Sequence, residues 1–229
     1  MAKKKKNLHE EKNIVAVEEA LSKSEQFIER NQNLILWSVA VVVLVIAGYI
    51  GFTRFFLAPR QQEASTEMFM AEKYFEQENF QMALEGDGQY LGFLDIIDEY
   101  GMTNAANLSK YYAGISYLKL AQFEDAIEML KEFSPKDQFL GAMANGAVAD
   151  AHLELGDVQQ AGRFYRKAYE YEPNEFTTPL FLYKAGLLFE QQGDYDQALE
   201  LYERIRSEYP ESNEGRNIDR FIGRVNAML

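Results

Sequence analysis

The side chains best suited to chemistry are few and poorly placed for it. Histidine occurs only twice: His9 lies in a charged N-terminal stretch, and His152 falls where a repeated pattern expects an aromatic packing residue. Neither a histidine metal cluster nor a catalytic dyad can be assembled from them. Cysteine is absent, which removes thiol catalysis, disulfides, thiolate-ligated zinc and the acceptor of a lipoprotein anchor. Carboxylate pairs such as Asp95 with Asp98, Glu124 with Asp125 and Glu203 with Glu208 lie on helical stretches whose acidic faces are explained by solvation. The run Glu85-Gly86-Asp87-Gly88 has too few acids for a calcium loop and reads as a turn, and no Gly-Lys-Ser phosphate loop occurs. The expectation is therefore a chain without an enzyme site, a cofactor, a metal or a small-molecule substrate.

What the charge does instead is divide the chain. Of the 229 residues, 36 are acidic and 23 basic, but the first 30 residues carry seven basic and six acidic groups, while residues 61–229 carry 14 basic and 30 acidic groups. A domain of that sign repels phosphate backbones, so nucleic acid is not an expected partner.

Between these regions runs LILWSVAVVVLVIAGYIGF, from Leu34 to Phe52, without a charge. As a helix it covers about 28 Å, close to the thickness of the hydrocarbon layer. Trp37 and Tyr49 sit near its ends as interfacial aromatics do, and Pro59 is expected to stop the helix after Phe55, Phe56 and Leu57. The competing reading, a buried core helix, calls for a polar face that this run lacks. A cleaved signal peptide fits poorly, because 33 mostly polar residues precede the run and no small-x-small cleavage site follows it. The span is thus read as residues 34–57. Lys3 to Lys6, Lys12, Lys23 and Arg30 all precede it, which places the N-terminus in the cytoplasm. Within the tail, residues 1–33, apolar groups at Ile14, Val17, Leu21 and Ile28 recur at helical spacing and predict a short amphipathic helix.

Past residue 60 the sequence repeats itself. GLLFEQQGDYDQALELYERIRSEYP, from Gly186 to Pro210, carries a small residue, an aromatic, a Gly turn, an Ala, an aromatic and a final Pro. Gly186 would allow two helices to approach, Gly193 with Asp194 would end the first helix, and Tyr195, Ala198 and Tyr202 would pack the second against it. Ala149, Gly156, Ala161, Tyr165 and Pro173 fill the same slots in a second copy. Gly114, Tyr117, Phe123, Ala126 and Leu130 fill them in a third, and Ala71, Tyr74, Phe80 and Ala83 in a fourth that is interrupted after Glu85. The turn-following alanines Ala83, Ala126, Ala161 and Ala198 are 43, 35 and 37 residues apart, near the period of about 34 expected of tetratricopeptide repeats. A last segment, with Ile218, Phe221, Ile222 and Val225 on one stripe and Arg216, Arg220 and Arg224 opposite, reads as a capping helix. The predicted fold is all-α: one transmembrane helix, then a tetratricopeptide-like α-solenoid of about four hairpins over residues 61–229, closed by that cap.

In this repeat class the first helix of each pair lines a concave face. Counting back from the signature small residue places Met68, Phe69, Phe75, Tyr111, Tyr112, Ile115, Leu118, Tyr183 and Leu187 on it, with Glu72, Asp150, Lys184 and Glu190. Such an aromatic face, with scattered charge, suits polypeptide segments. The bland alternative is that several of these residues only pack between neighbouring repeats.

The order of charged tail, amphipathic helix, span and acidic repeats resembles a bacterial family of inner-membrane tetratricopeptide proteins that includes the ancillary subunit of the Sec translocon. The likeness is densest over SEQFIERNQ (Ser24 to Gln32), the span, and QQEASTEMFMAEKYFEQ (Gln61 to Gln77). It implies an inner-membrane protein with a periplasmic repeat domain, whose partners are translocon subunits, chaperones or exported polypeptides. Some related repeats grip an acidic C-terminus with inward Lys and Asn; Glu72, Ile115, Asp150 and Leu187 at the comparable positions are unsuited to that. Two other roles remain open: an adaptor in outer-membrane or cell-division assembly, and a regulator acting through the cytoplasmic tail.

Overall fold

A computed structural model describes residues 29–229, so the expected amphipathic helix over residues 14–30 lies almost wholly outside the described residues. The described chain falls into two compact units that meet after Ala58.

The first unit is helical from residue 29, with α1 over residues 29–51 followed by a π-helical turn, Phe52–Leu57. Its most apolar 18-residue window has a mean hydropathy of 2.5 and is 0% buried. Side chains are exposed around the whole circumference, Trp37, Leu44 and Val45 among them. That combination separates it from a core helix, which is apolar because it is covered. The serine and threonine hydroxyls are satisfied by the helix itself: Ser38 Oγ donates to the Leu34 carbonyl (2.8 Å) and Thr53 Oγ1 to that of Tyr49 (3.0 Å). The helix is long and apolar enough to cross a membrane.

Pro59 does not end a helix as the sequence suggested. It is the second residue of α2, Ala58–Glu76, with helical backbone on both sides of it, and the π-helical turn just before it accommodates an interior proline that has no N–H to give. The residues before it are wound more widely, the Ala58 N–H reaching the Thr53 carbonyl five residues back.

The second unit is a stack of helical hairpins. Three are regular: α5 and α6 (Asn104–Lys119, Phe123–Glu132), α7 and α8 (Gln138–Glu154, Val158–Glu170), and α9 and α10 (Thr177–Gln191, Tyr195–Glu208). The fourth, at the front, pairs α2 with the short α3 (Phe80–Glu85) and is followed by α4 (Phe93–Glu99). As expected, the interruption falls at Gly86. The Asp87 carboxylate closes the loop by accepting from the Gln89 and Tyr90 amides and from the Tyr74 hydroxyl (2.9, 2.8 and 2.7 Å), and those bonds hold it below the usual carboxylate range. The closing helix α11, Ile218–Asn226, buries Ile218, Phe221, Ile222 and Val225 as its stripe predicts.

The turn between helices of a hairpin shows how local chemistry sets the register. In the last two hairpins a glycine with φ +76 (Gly156, Gly193) is followed by an aspartate (Asp157, Asp194) whose side chain caps the next helix by accepting from the Gln160 or Gln197 amide. In the α5–α6 hairpin the same place is taken by Ala121, at φ +60, and the Gln122 that follows makes no side-chain cap. A Cβ in that left-handed region is strained. Replacing Ala121 by Gly should therefore stabilise the protein by about 1 kcal/mol, raising the thermal midpoint of the detergent-solubilised chain by roughly 2–4 °C.

Packing follows the repeat pattern. The turn-following Ala83, Ala126, Ala161 and Ala198 are all 0% exposed, because each faces the first helix of its own hairpin, where any larger group would separate the pair. His152 is a packing residue: its ring lies on Phe164 (centroids 5.5 Å apart) and its Nε2 is buried without a hydrogen-bond partner. Burial, and then the Lys131 charge, push its pKa below the ordinary 6.5, with Asp157 opposing them; Lys167 lies over the far part of the same cluster, on the Phe164 ring. The folded state thus binds this proton less readily than the unfolded chain. Stability contributed here is intact above the unfolded pKa of about 6.5 and falls as pH drops through the window beneath it. Urea midpoints measured at about pH 7.5 and about pH 5.5 should differ less for His152→Phe than for the native protein.

Candidate functional site

The first helices of the last three hairpins, α5, α7 and α9, share one face, and two adjoining cavities open along it. One, of about 440 Å³, lies between α7, α9 and α11, over Leu153, Leu187 and Leu188. The other, of about 530 Å³, runs from Leu118 and Phe123 to Asp150 and Glu154. Leu153 and Lys184 border both, so together they form one groove.

Two sets of charges in this groove are closed, while Lys119 and Glu154 also border it. Lys184 Nζ donates to both oxygens of Asp150 (2.8 and 2.6 Å), and the Tyr165 hydroxyl donates to the same carboxylate at 2.5 Å. One hairpin further on, Arg224 donates to Glu190 through Nε and Nη2 (2.5 and 2.7 Å), and the Tyr202 hydroxyl donates to it at 3.0 Å. Tyr165 and Tyr202 stand sixteen residues after Ala149 and Gly186, the same slot of successive repeats. In both, a tyrosine on the second helix reaches through the hairpin to a carboxylate on the first. Burial, reinforced by the carboxylate it serves, pushes each phenol pKa well up, so both remain donors. The Arg224 guanidinium, helped by Tyr202 and against partial burial, holds Glu190 below the usual carboxylate range.

Of the nine residues expected on the concave face, Leu118 and Leu187 line the cavities. Six others pack among the helices. Met68 is 6% exposed, with Ser109 Oγ 3.2 Å from its sulfur. Phe75 and Phe93 each contact Tyr112 (5.0 and 5.1 Å between centroids), and Tyr111 lies on Phe133 (5.5 Å). Tyr183 meets Phe221 of the cap edge-on at 5.0 Å, and Ile115 packs against the larger core cluster. Phe69 is 61% exposed. Three of the four accompanying charged residues, Asp150, Lys184 and Glu190, do line the groove, while Glu72 lies near Tyr112 and Glu76, partly buried and with its pKa raised for both reasons. Leu153, Leu188 and Arg224 were missed. Arg224 belongs to the arginine stripe opposite the apolar face of the cap, yet its guanidinium reaches Glu190 on α9.

Among the described residues no group of three His, Cys, Asp or Glu side chains is placed to hold a metal ion. The groove offers apolar floor and paired charge, with no nucleophile beside a base.

Two family models match the chain, both described as tetratricopeptide repeat, over residues 111–175 and 181–212. The second unit is a tetratricopeptide-like solenoid. Solved structures agree on the fold. The crystal structure of MamA superimposes with a TM-score of 0.52 at 20% identity, over 72% of this chain and 88% of that one. The nearly identical TPR-like repeats of a putative kinesin light chain from Podosopora anserina give 0.55 at 13% identity, over 73% and 87%. No curated protein matches the chain. Tetratricopeptide repeats are scaffolds for protein contacts, and neither matching model is that of an enzyme.

Proposed function

We propose that the chain is a membrane-anchored tetratricopeptide adaptor of the bacterial envelope. Its N-terminus is cytoplasmic, its repeats lie on the periplasmic side of the inner membrane, and they attend the Sec translocon, passing exported polypeptides to periplasmic chaperones. The observation that carries the protein-binding part is the groove along α5, α7 and α9, open to solvent and floored by leucines. The unburied apolar helix supports the anchor, and the run Lys3 to Lys6 ahead of it supports the orientation.

Photo-crosslinking from positions 118 and 187 in intact membranes tests the reading. Adducts with translocon subunits, periplasmic chaperones or exported polypeptides are expected. Adducts confined to outer-membrane or cell-division components would replace it with the adaptor role in those assemblies, and adducts with cytoplasmic proteins alone would overturn both the topology and the partner.

A further inference from the structure

The domain carries a strong negative charge, yet its groove does not. Lys184 lies 2.6 Å from Asp150 and Arg224 lies 2.5 Å from Glu190, and the side chains of Asp150 and Glu190 are only 32% and 16% exposed. Both carboxylates have a tyrosine hydroxyl as a further donor. An incoming carboxylate meets Lys184 and Arg224 already neutralised by Asp150 and Glu190, so even at the half-exposed Arg224 it gains little attraction while giving up its own hydration. An incoming ammonium faces the mirror-image difficulty. An exposed contact with an already neutralised charge returns too little to offset that lost hydration. A large uncharged side chain meets neither obstacle and displaces only water from Leu153, Leu187 and Leu188.

We infer that the cavity between α7, α9 and α11 takes the large aliphatic or aromatic side chain of an uncharged, extended polypeptide segment, and that Glu190 sets this preference by neutralising Arg224. This rests on the groove being the protein-binding site. The site is also incomplete without α11, because the cap supplies Arg224. Long-range attraction of basic segments to the acidic domain then affects encounter, while the pocket itself selects against charge.

The test uses the full-length protein in phosphatidylcholine nanodiscs, with empty nanodiscs as the blank. The probes are end-capped fluorescent peptides that alternate Ser with Leu, Asp or Lys, followed by anisotropy. The Leu peptide should bind at least about tenfold more tightly than the Asp or Lys peptide, and its affinity should barely change between about 0.05 and 0.5 M salt. Glu190→Gln leaves the Tyr202 hydroxyl an acceptor but frees Arg224, so it should tighten the Asp peptide about tenfold while leaving the Leu peptide unchanged. The double variant Glu190→Gln/Arg224→Gln should restore rejection of the Asp peptide, which assigns the gain to Arg224, while the unchanged Leu-peptide affinity shows that the single variant is folded. Leu187→Asp should abolish binding of the Leu peptide. If the native protein binds Asp or Lys peptides as well as Leu, the selectivity is overturned and the groove reading stands. Leu187→Asp binding like the native protein would overturn the pocket as the site, and no binding by any peptide would sink the inference together with the groove reading.

Discussion

Gly146→Ala is expected to destabilise the repeat domain by roughly 2–4 kcal/mol, although alanine is the better helix former by about 1 kcal/mol. Gly146 lies inside α7, and a Cβ built there would sit 1.9 Å from Cε1 and 2.2 Å from Cζ of Phe181 on α9. Phe181 is 2% exposed, so its ring has no free space into which to swing. Either α7 moves away from α9 or the ring leaves the core, and both break the contact that joins one hairpin to the next. In a solenoid each hairpin touches only its neighbours, so the damage is concentrated at that junction. Chemical denaturation of the solubilised protein should show a lowered midpoint, and limited proteolysis should begin cutting near α7. Gly162→Ala is the control: the nearest atom to its Cβ is Leu188 Cδ2 at 3.7 Å, an ordinary contact, so the change should be neutral or mildly stabilising. Adding Phe181→Leu to Gly146→Ala should recover part of the loss, because the smaller side chain makes room for the methyl group. If the two losses simply add, the steric account is wrong.

That junction also marks where the sequence stops being readable. Contacts within a hairpin recur at fixed offsets, so Ala126, Ala161, Ala198 and the pairing of Gly186 with Tyr202 could be located by counting; the Cβ added at Gly186 does meet the Tyr202 ring, at 2.4 Å. Contacts between hairpins depend on stacking geometry, which no offset encodes. Gly146 is therefore anonymous in the sequence, and Phe181 looks like any buried aromatic. The concave face suffers from the same limitation. Counting back from the small residue identifies the side of a helix, but not whether a neighbour covers that side. Tyr183, expected on the concave face, meets Phe221 of the cap, while Tyr112 is claimed by Phe75 and Phe93. The smaller Leu118 and Leu187 stay at the groove because their neighbours across it, Leu153 and Lys184, leave space. Tyr165 and Tyr202 were legible as packing residues and illegible as hydrogen-bond donors, since the carboxylates they reach lie 15 and 12 residues away, at offsets that differ between the two repeats. Pro59 shows a further kind of error. An interior proline ordinarily breaks a helix, but the wider π-turn over Phe52–Leu57 absorbs it and the backbone stays helical on both sides, which no residue pattern announces.

Three aspartates in the span, Val42→Asp, Val43→Asp and Val45→Asp, should release the full-length protein from membranes. Twelve of the residues from Leu34 to Phe52 are Leu, Ile, Val or Phe, and at about −0.3 to −0.6 kcal/mol each they favour insertion by roughly 6 kcal/mol. An aspartate at the helix centre costs about 2.5–3.5 kcal/mol, so three of them outweigh the whole apolar contribution. None of the three valines has a covering neighbour in the described chain, being 55%, 57% and 65% exposed, so nothing in the fold compensates for the new charges or is broken by them. The repeat domain has its own buried clusters, whose members begin at Ala64; its helical signal and thermal midpoint should survive the substitutions. A core helix would respond the opposite way, with the domain unfolding and aggregating, whereas an anchor loses only its attachment. Alkaline extraction followed by sedimentation separates the outcomes: the native chain and a Val→Leu control at the same three positions should remain in the pellet, and the triple aspartate variant should move to the supernatant with its repeats folded. A native chain that alkali extracts, or a triple variant that still sediments with the membranes, would remove the anchor from this protein and with it the reason for placing the groove at the envelope.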